Sequence, residues 1–176
     1  MARNIVVPGI LLIFASPVLA ASGPFFDGVN SNTGVIRIYE YNGSVWTKLG
    51  QDLIGQENDN VVKVVSLNAA GTRVAFSSEL NDDCGGYGCG SVHVYEYDGS
   101  TAWNQLGLDL DGTNINDRYG TSLILNAAGD RIIIGTPAHE DNWATGPWSY
   151  GHIQVFEWRI LSYQIGIDYF SCLLLD

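Results

Sequence analysis

Basic residues are scarce in this sequence: eight Lys and Arg stand against nineteen Asp and Glu, for a formal charge of -11. A nucleic-acid binder needs a Lys/Arg surface to replace the counterions around phosphate, so that partner class is excluded. Histidine is almost missing, with only His93, His139 and His152 present. No Gly-x-Ser-x-Gly elbow, His-Glu-x-x-His pair, phosphate-binding loop or Cys-x-x-Cys pair occurs, which removes the common hydrolase, metalloprotease and nucleotide signatures. Strong helix formers never fall at i, i+3, i+4 spacing. The most apolar stretch is broken by Pro8, Gly9 and Pro17 and falls short of the ~20 residues a bilayer core demands, so no transmembrane span is expected.

What the chain does have is glycine, at 21 residues, and a hydrophobic fraction of 46% in 176 residues, enough for a real core. With aromatics at 11% and many turn residues, the expectation is a single all-β domain. The opening "MARNIVVPGILLIFASPVLA" has a basic start at Arg3, an apolar run from Ile5 to Phe14, and small residues at Ala20 and Ala21. This reads as a secretory signal over residues 1–20. The alternative is that Val18 to Ala21 form a strand, because "VLAASGPFFDG" also fits the strand-plus-loop pattern of "IIIGTPAHEDN".

Cys84 and Cys89 flank "GGYG", and in an exported chain they are expected to form a local disulfide, free thiols being the alternative. Closing so small a loop contributes about 2 kcal/mol on the chain-entropy estimate. Zinc would need four ligands, and no neighbouring Cys/His pair completes such a set. Cys172 has no evident partner in the sequence.

Laid against itself, the chain gives "GVIRIYEYNGSVWTKLGQDLIGQ" from Gly34, "GSVHVYEYDGSTAWNQLGLDLDGT" from Gly90 and "GHIQVFEW" from Gly151. A pitch of about 58 residues containing strands instead of helices belongs to propeller blades or related β-arrays. The second unit divides into four strands: Ser91 to Tyr97, Trp103 to Leu106, Thr121 to Leu125 and Arg131 to Gly135. Along its first strand Val92, Val94 and Glu96 share one face and His93, Tyr95 and Tyr97 the other, so both faces carry bulk and need cover. "YNGS" and "YDGS" place hairpin turns before Trp46 and Trp103, which are expected to seal the packing between blades.

"NAAG" occurs twice, at Asn68 to Gly71 and Asn126 to Gly129, each time between two apolar runs. A type I turn followed by a left-handed Gly would close a tight hairpin there, with Asn bonding its own backbone. The tetrapeptide has neither carboxylate nor thiol, so catalysis is not expected of it.

Taken with these turns, "DRYGTSLILNAAGDRIIIGTP" resembles the FG-GAP repeats of integrin α-chain-like β-propellers. Tyr119-Gly120 stands for Phe-Gly, and Gly135-Thr136-Pro137 for Gly-Ala-Pro. The resemblance runs over roughly residues 18 to 168 and implies four-stranded antiparallel blades; the repeat count, about two blades plus flanking pieces against the four to eight of a closed propeller, makes the expected ring incomplete. The first copy departs, with "VVK" from Val61 and "SSE" from Ser77 at the signature positions. "NAAG" replaces the Asp-x-Asp-x-Asp-Gly calcium loop of integrin-type copies and offers one side-chain amide where calcium wants six to eight oxygens. The same hairpins also look like those of WD-like and translocation-associated propellers. The expected layout is a leader over 1–20, a repeat region over 21–168 with units starting near 34, 90 and 151, and a divergent tail over 169–176.

Candidate site residues are few. No cofactor is expected; calcium is the one candidate ion, at acidic loops holding Asn81, Asp82 and Asp83, and Glu140 and Asp141. Asn42-Gly43-Ser44 is a glycosylation sequon on a turn, a bare turn being the alternative. Glu40, Glu96 and Glu157 recur at one strand position, which suits paired glycosidase carboxylates or, more simply, a structural role repeated in each blade. The leading functional expectation is a secreted or cell-surface, non-catalytic interaction module engaged in adhesion or surface recognition. Its partners would be a protein or glycan at the loop surfaces, and further blades in the same or another chain. Two alternatives stand beside it: a fragment of an extracellular hydrolase or lyase acting on glycans, and a truncated gene product without independent function. The enzyme reading requires two or more carboxylates in one cleft, whereas the module reading scatters them over loop tips.

Overall fold

Period-two alternation becomes strands throughout the computed structural model, which describes residues 4–7, 10–15, 17–23, 33–55, 64–82, 84–138, 151–159 and 169–173. Among the described residues there is no helix. The first sheet joins β1 (Asn4–Val7), β2 (Ile10–Ala15), β3 (Val18–Gly23), β4 (Val35–Tyr41) and β5 (Trp46–Ile54) in chain order. The second joins β6 (Val65–Leu67), β7 (Arg73–Ser78) and β8 (Ser91–Tyr97), whose other edge is completed by β9 (Trp103–Gln105) and β10 (Leu110–Asp111) in tandem. The third joins β11 (Ser122–Leu125), β12 (Arg131–Thr136), β13 (His152–Arg159) and β14 (Tyr169–Leu173). Every pairing is antiparallel.

The four strands expected to form one unit from Ser91 to Gly135 are divided between two sheets. The first two pair with β6 and β7, and the last two with β13 and β14. The reason lies in the connections. The disulfide-bearing loop after Ser78 returns the chain antiparallel, so β7 and β8 stay hydrogen-bonded from Arg73↔Glu96 to Ser78↔Ser91. The segment after Asp111 instead carries the chain to the neighbouring sheet, and the ladder breaks there. The sequence period is real, but the sheet boundaries are offset from it by two strands.

Residues of the expected leader form β1, β2 and the start of β3, and Val18 to Ala21 are strand in this chain. β3 lies between β2 and β4, with Val18 and Ala20 buried. At the other end, Tyr169–Leu173 of the divergent tail pairs with β13.

Three strand pairs superpose in register: Val18↔Glu40, Arg73↔Glu96 and Arg131↔Glu157 occupy the same place in β3–β4, β7–β8 and β12–β13. Each sheet therefore has a leading face and a trailing face with equivalent residues. The leading face of the first sheet (Val18, Ala20, Ile36, Ile38) packs on the trailing face of the second (Val74, Phe76, Tyr95), with Trp103 at their joint. The leading face of the second (Ala75, Val92, Val94) packs on the trailing face of the third (Ile132, Ile134, Phe156). Two cores result, each lying between sheets, as expected of strands that carry bulk on both faces.

The "NAAG" turns are the expected hairpins and also the contact between sheets. Asn68 Oδ1 accepts the Thr72 and Arg73 backbone N–H groups at 2.9 Å, and Asn126 Oδ1 accepts those of Gly129 and Arg131. Gly71 and Gly129 take φ of 69° and 79°, the left-handed region that glycine enters without strain. The two turns also touch: Ala69 N–H donates to the Ala127 carbonyl at 3.0 Å, and Arg73 Nη1 to the Gly129 carbonyl at 2.9 Å. A Cβ on Gly129 would meet Arg73 and Asn68 of the preceding sheet, and one on Gly71 would meet Val18 at 2.4 Å. Val18 holds the Arg73 position, so each turn glycine seats the equivalent side chain of the sheet before it.

Candidate functional site

Two segments meet at the end of the sheets where β10 and β12 stop and β13 starts. The first is the loop from Glu79 to Gly90, closed by the disulfide between Cys84 and Cys89. The second, Gly112 to Gly120, lies along it as an irregular ladder. Gly112 N–H donates to the Gly90 carbonyl and Tyr119 N–H to that of Cys89, both at 2.8 Å; Arg118 N–H donates to Gly88 at 2.9 Å and Asn116 N–H to Tyr87 at 3.1 Å. The approach is so close that a Cβ on Gly90 would lie 2.3 Å from the Tyr119 carbonyl oxygen. Asn116 and Arg118 are held at φ of 65° and 54°, left-handed conformations that persist where surrounding bonds over-determine them. Between them, Asp117 is turned inward at 1% exposure and its carboxylate accepts the Asn114 N–H at 3.0 Å.

This framework opens a cavity of about 290 Å³ between the second and third sheets, lined by Asp111, Thr113, Asp117, Tyr119, Thr136, His152 and Gln154. The Tyr119 hydroxyl crosses the joint to donate to Gln154 Oε1 at 2.7 Å. Thr136 and His152, register partners at the start of β13, separate this cavity from a shallower one of about 430 Å³ lined by Pro137, Gly151 and Ile153. Carboxylates and an amide oxygen accept hydrogen bonds; hydroxyls and the imidazole both donate and accept. Such a mixture suits a small ligand rich in hydroxyl groups.

The joint between the first and second sheets carries the equivalent cavity, but at about 110 Å³, lined by Ile54, Phe76, His93, Tyr95 and Asp109 among others. Ile54 stands where Asp111 stands and His93 where Gln154 stands, so the second cleft is the wider and the more acidic of two related ones.

His93 takes part in a buried relay. Its Nδ1 lies 2.7 Å from the Asp109 carboxylate and its Nε2 3.3 Å from the Ser91 hydroxyl. The hydrogen bond from His93 holds the Asp109 carboxyl below the usual carboxylate range, although burial works against it. The order Ser, His, Asp invites comparison with a hydrolytic triad, but the geometry is structural. Ser91 is 0% exposed, and the first sheet repeats the motif with Arg37 donating to Asp52 at 2.9 Å. A cation or imidazole on the central strand thus pins the irregular edge strand in both sheets.

The remaining sequence candidates are scattered. Asn81 is buried in the disulfide loop, where its carbonyl accepts the Gly90 N–H, and Asp82 is exposed. Asp83, Glu140, Asp141 and His139 lie outside the described residues. Among the described residues no group of three or more His, Cys, Asp and Glu side chains is placed to hold a metal ion. Glu96 and Glu157 pair across strands with Arg73 and Arg131, at 2.8 and 3.2 Å, as a repeated structural position requires. Trp103 seals a joint, 2% exposed with its indole N–H on the Leu49 carbonyl at 3.0 Å. Trp46, expected to do the same, is 44% exposed and packs at a tilt against Tyr41, because no described sheet precedes its own. Asn42 lies exposed in its turn, with Oδ1 accepting the Ser44 and Val45 N–H groups.

Of the cleft residues, sequence reasoning reached Tyr119 and Thr136 only as parts of a repeat signature and His152 only as a strand opener. Asp111, Thr113, Asp117 and Gln154 were missed, although Asp111 against Ile54 is a visible departure between the copies. Compared with known proteins, the chain matches no family model and no curated sequence.

Proposed function

We propose that this protein is a secreted or cell-surface, non-catalytic interaction module of FG-GAP, integrin-like propeller type that recognises a glycan through the cleft between its second and third sheets. The observation that carries the reading is the cleft lining, where Asp111, Thr113, Asp117, Thr136, His152 and Gln154 bring donors and acceptors to one cavity. A few placed polar groups around a concave site fix a ligand's orientation, and sugar hydroxyls use donors and acceptors together. Successive antiparallel meanders stacked face to face support the propeller element, and the disulfide supports an oxidising compartment. Binding of the intact chain to an array of immobilised glycans tests the proposal. At least one glycan is retained, and Asp111→Ala weakens that binding about tenfold or more, as loss of a charged hydrogen bond would. An array without a binder, or binding indifferent to Asp111→Ala, rejects it.

One observation favours a second reading, a glycan-degrading enzyme: Asp111 and Asp117 share the cleft, so two carboxylates converge. Against an acid–base role, Asp117 is already engaged by the Asn114 N–H and serves to shape the loop. Release of new reducing ends from a bound glycan, abolished by Asp117→Asn, would establish the enzyme in place of the module.

A further inference from the structure

The leading face of the third sheet breaks the pattern set by the other two. Ala20, Ile36 and Ile38 in the first sheet are each 0% exposed, and Ala75, Val92 and Val94 in the second reach at most 2%. Their equivalents in the third are Ile133, Ile153 and Val155, with Ile133 46% and Ile153 65% exposed. Ile124 extends the row, opposite Ile133 in the β11–β12 ladder and 58% exposed. Four aliphatic side chains thus form an apolar stripe across neighbouring strands, where a soluble surface normally carries polar groups. Arg131 stands at its margin in the position from which Arg73 grips the next turn.

The first sheet presents the opposite half. Its trailing face carries Leu19, Ala21 and Tyr39, the equivalents of Val74, Phe76 and Tyr95, which receive the first sheet inside the chain. Trp46 projects beside it at the Trp103 position, 44% exposed.

We infer that the leading face of the third sheet docks the trailing face of the first sheet of a second copy of this chain. Continuity with the two internal joints supplies the argument: both are formed by a leading face on a trailing face, the third sheet's leading face exposes Ile124, Ile133 and Ile153, and the first sheet's trailing face, where Leu19, Ala21 and Tyr39 are half-buried, ends in exposed Tyr41 and Trp46. The contact is heterologous, since different surfaces meet, so copies add head to tail and either close into a ring or continue as a filament. Two charges of -11 oppose the approach, and added salt therefore strengthens the association by screening that repulsion. The inference rests on the repeat register alone and stands or falls separately from the glycan proposal.

Sedimentation equilibrium of the intact chain, with circular dichroism confirming that each variant folds, tests it. The unaltered chain should show a concentration-dependent mass of twice the chain or more. Ile133→Asp should be monomeric, and so should Trp46→Asp. Mixed together, they should give a species of twice the chain mass and nothing larger, because each retains the face that the other lacks. Glycan binding by Ile133→Asp should be unchanged, since that side chain does not line the cleft. A chain that stays monomeric at the highest soluble concentration overturns the inference. Association that survives in Trp46→Asp alone also overturns it, since it would mean a symmetric contact between two third sheets.

Discussion

Arg73 reaches out of its own sheet to the turn of the next, its Nη1 donating to the Gly129 carbonyl at 2.9 Å while Nε donates to Glu96 at 2.8 Å. A guanidinium has five N–H donors and can serve two acceptors at once. The second "NAAG" turn is therefore both a hairpin and the acceptor through which the second sheet holds the third, whereas the first seats Val18 by packing alone.

Arg73→Ala should destabilise the fold by about 1–3 kcal/mol, the range for a hydrogen bond to a charged group whose partners lose it. Arg131→Ala removes the same residue type from the equivalent strand position, where the side chain is 57% exposed and bridges to Glu157 within its own sheet. Its cost should stay within about 0.5 kcal/mol. Urea unfolding of both variants measures the difference; equal losses would refute the role given to the joint.

The turn glycines allow a graded test. Gly71 combines positive φ with Val18 at 2.4 Å from where an added methyl would stand, whereas Gly43 has φ of 98° and open space around it. Gly43→Ala should cost about 1 kcal/mol from backbone strain. Gly71→Ala adds overpacking against a branched side chain and should cost roughly 1–3 kcal/mol more. Thermal melts that rank the two alike would remove the steric term.

The repeat was legible because its register residues are chemically distinctive: Glu40, Glu96 and Glu157, the Asn-Gly and Asp-Gly turns, and "NAAG" recur at fixed offsets. Hairpins follow from local turn chemistry, and those were read correctly. Sheet boundaries do not, because a strand after a long connection can continue its own sheet or enter the neighbouring one. Gly90 and Gly112 decide between these by letting two loops run in contact, and nothing in their spacing announces it. The cleft was hidden for the same reason. Asp117 reaches it only because Asn116 and Arg118 adopt left-handed backbone, a conformation that side-chain periodicity does not report.

Acid should weaken the turn at Asp98. Its carboxylate accepts the Ser100, Thr101 and Ala102 N–H groups, and these bonds lower its pKa from 3.8 to about 2. A carboxyl depressed in the folded state lends stability that is complete above its unfolded pKa and is lost as pH falls through the folded one. That window runs from about pH 4 down to about pH 2. Asp98→Asn reproduces the first repeat, where Asn42 Oδ1 accepts the Ser44 and Val45 N–H groups at 3.0 Å. The variant should match the parent at neutral pH and lose less stability across the acid window. Parallel acid-unfolding curves for the two proteins would contradict this.

Trimming the N-terminus separates a leader from a strand. Deleting residues 1–16 leaves Val18 and Ala20, 3% and 0% exposed, in the first joint. Deleting residues 1–21 removes both and uncovers Gly71, Ile36 and Ile38. The longer deletion should cost several kcal/mol beyond the shorter, on the scale of losing a buried aliphatic side chain and its packing. Export processing that leaves Val18 in place is compatible with the fold; a stable, fully folded chain starting at Ser22 would make β3 dispensable.

Reducing the Cys84–Cys89 disulfide should disable the cleft before it unfolds the chain. The loop it closes supplies the carbonyls of Tyr87, Gly88 and Cys89 to Asn116, Arg118 and Tyr119, and those bonds hold two left-handed residues on either side of Asp117. Opening the loop releases about 2 kcal/mol of chain-entropy constraint, comparable to the ~1–3 kcal/mol that each strained residue stores. The 112–120 segment should then relax, loosening Tyr119 at the edge of the second core, while the strand ladders, which use none of these bonds, remain. Hydrogen exchange on Cys84→Ser/Cys89→Ser should show faster exchange at Arg118 and Tyr119, with unchanged protection in β7 and β12. Glycan binding should fall in parallel. Uniform loss of protection across all three sheets would mean that the disulfide supports the whole fold instead of the site.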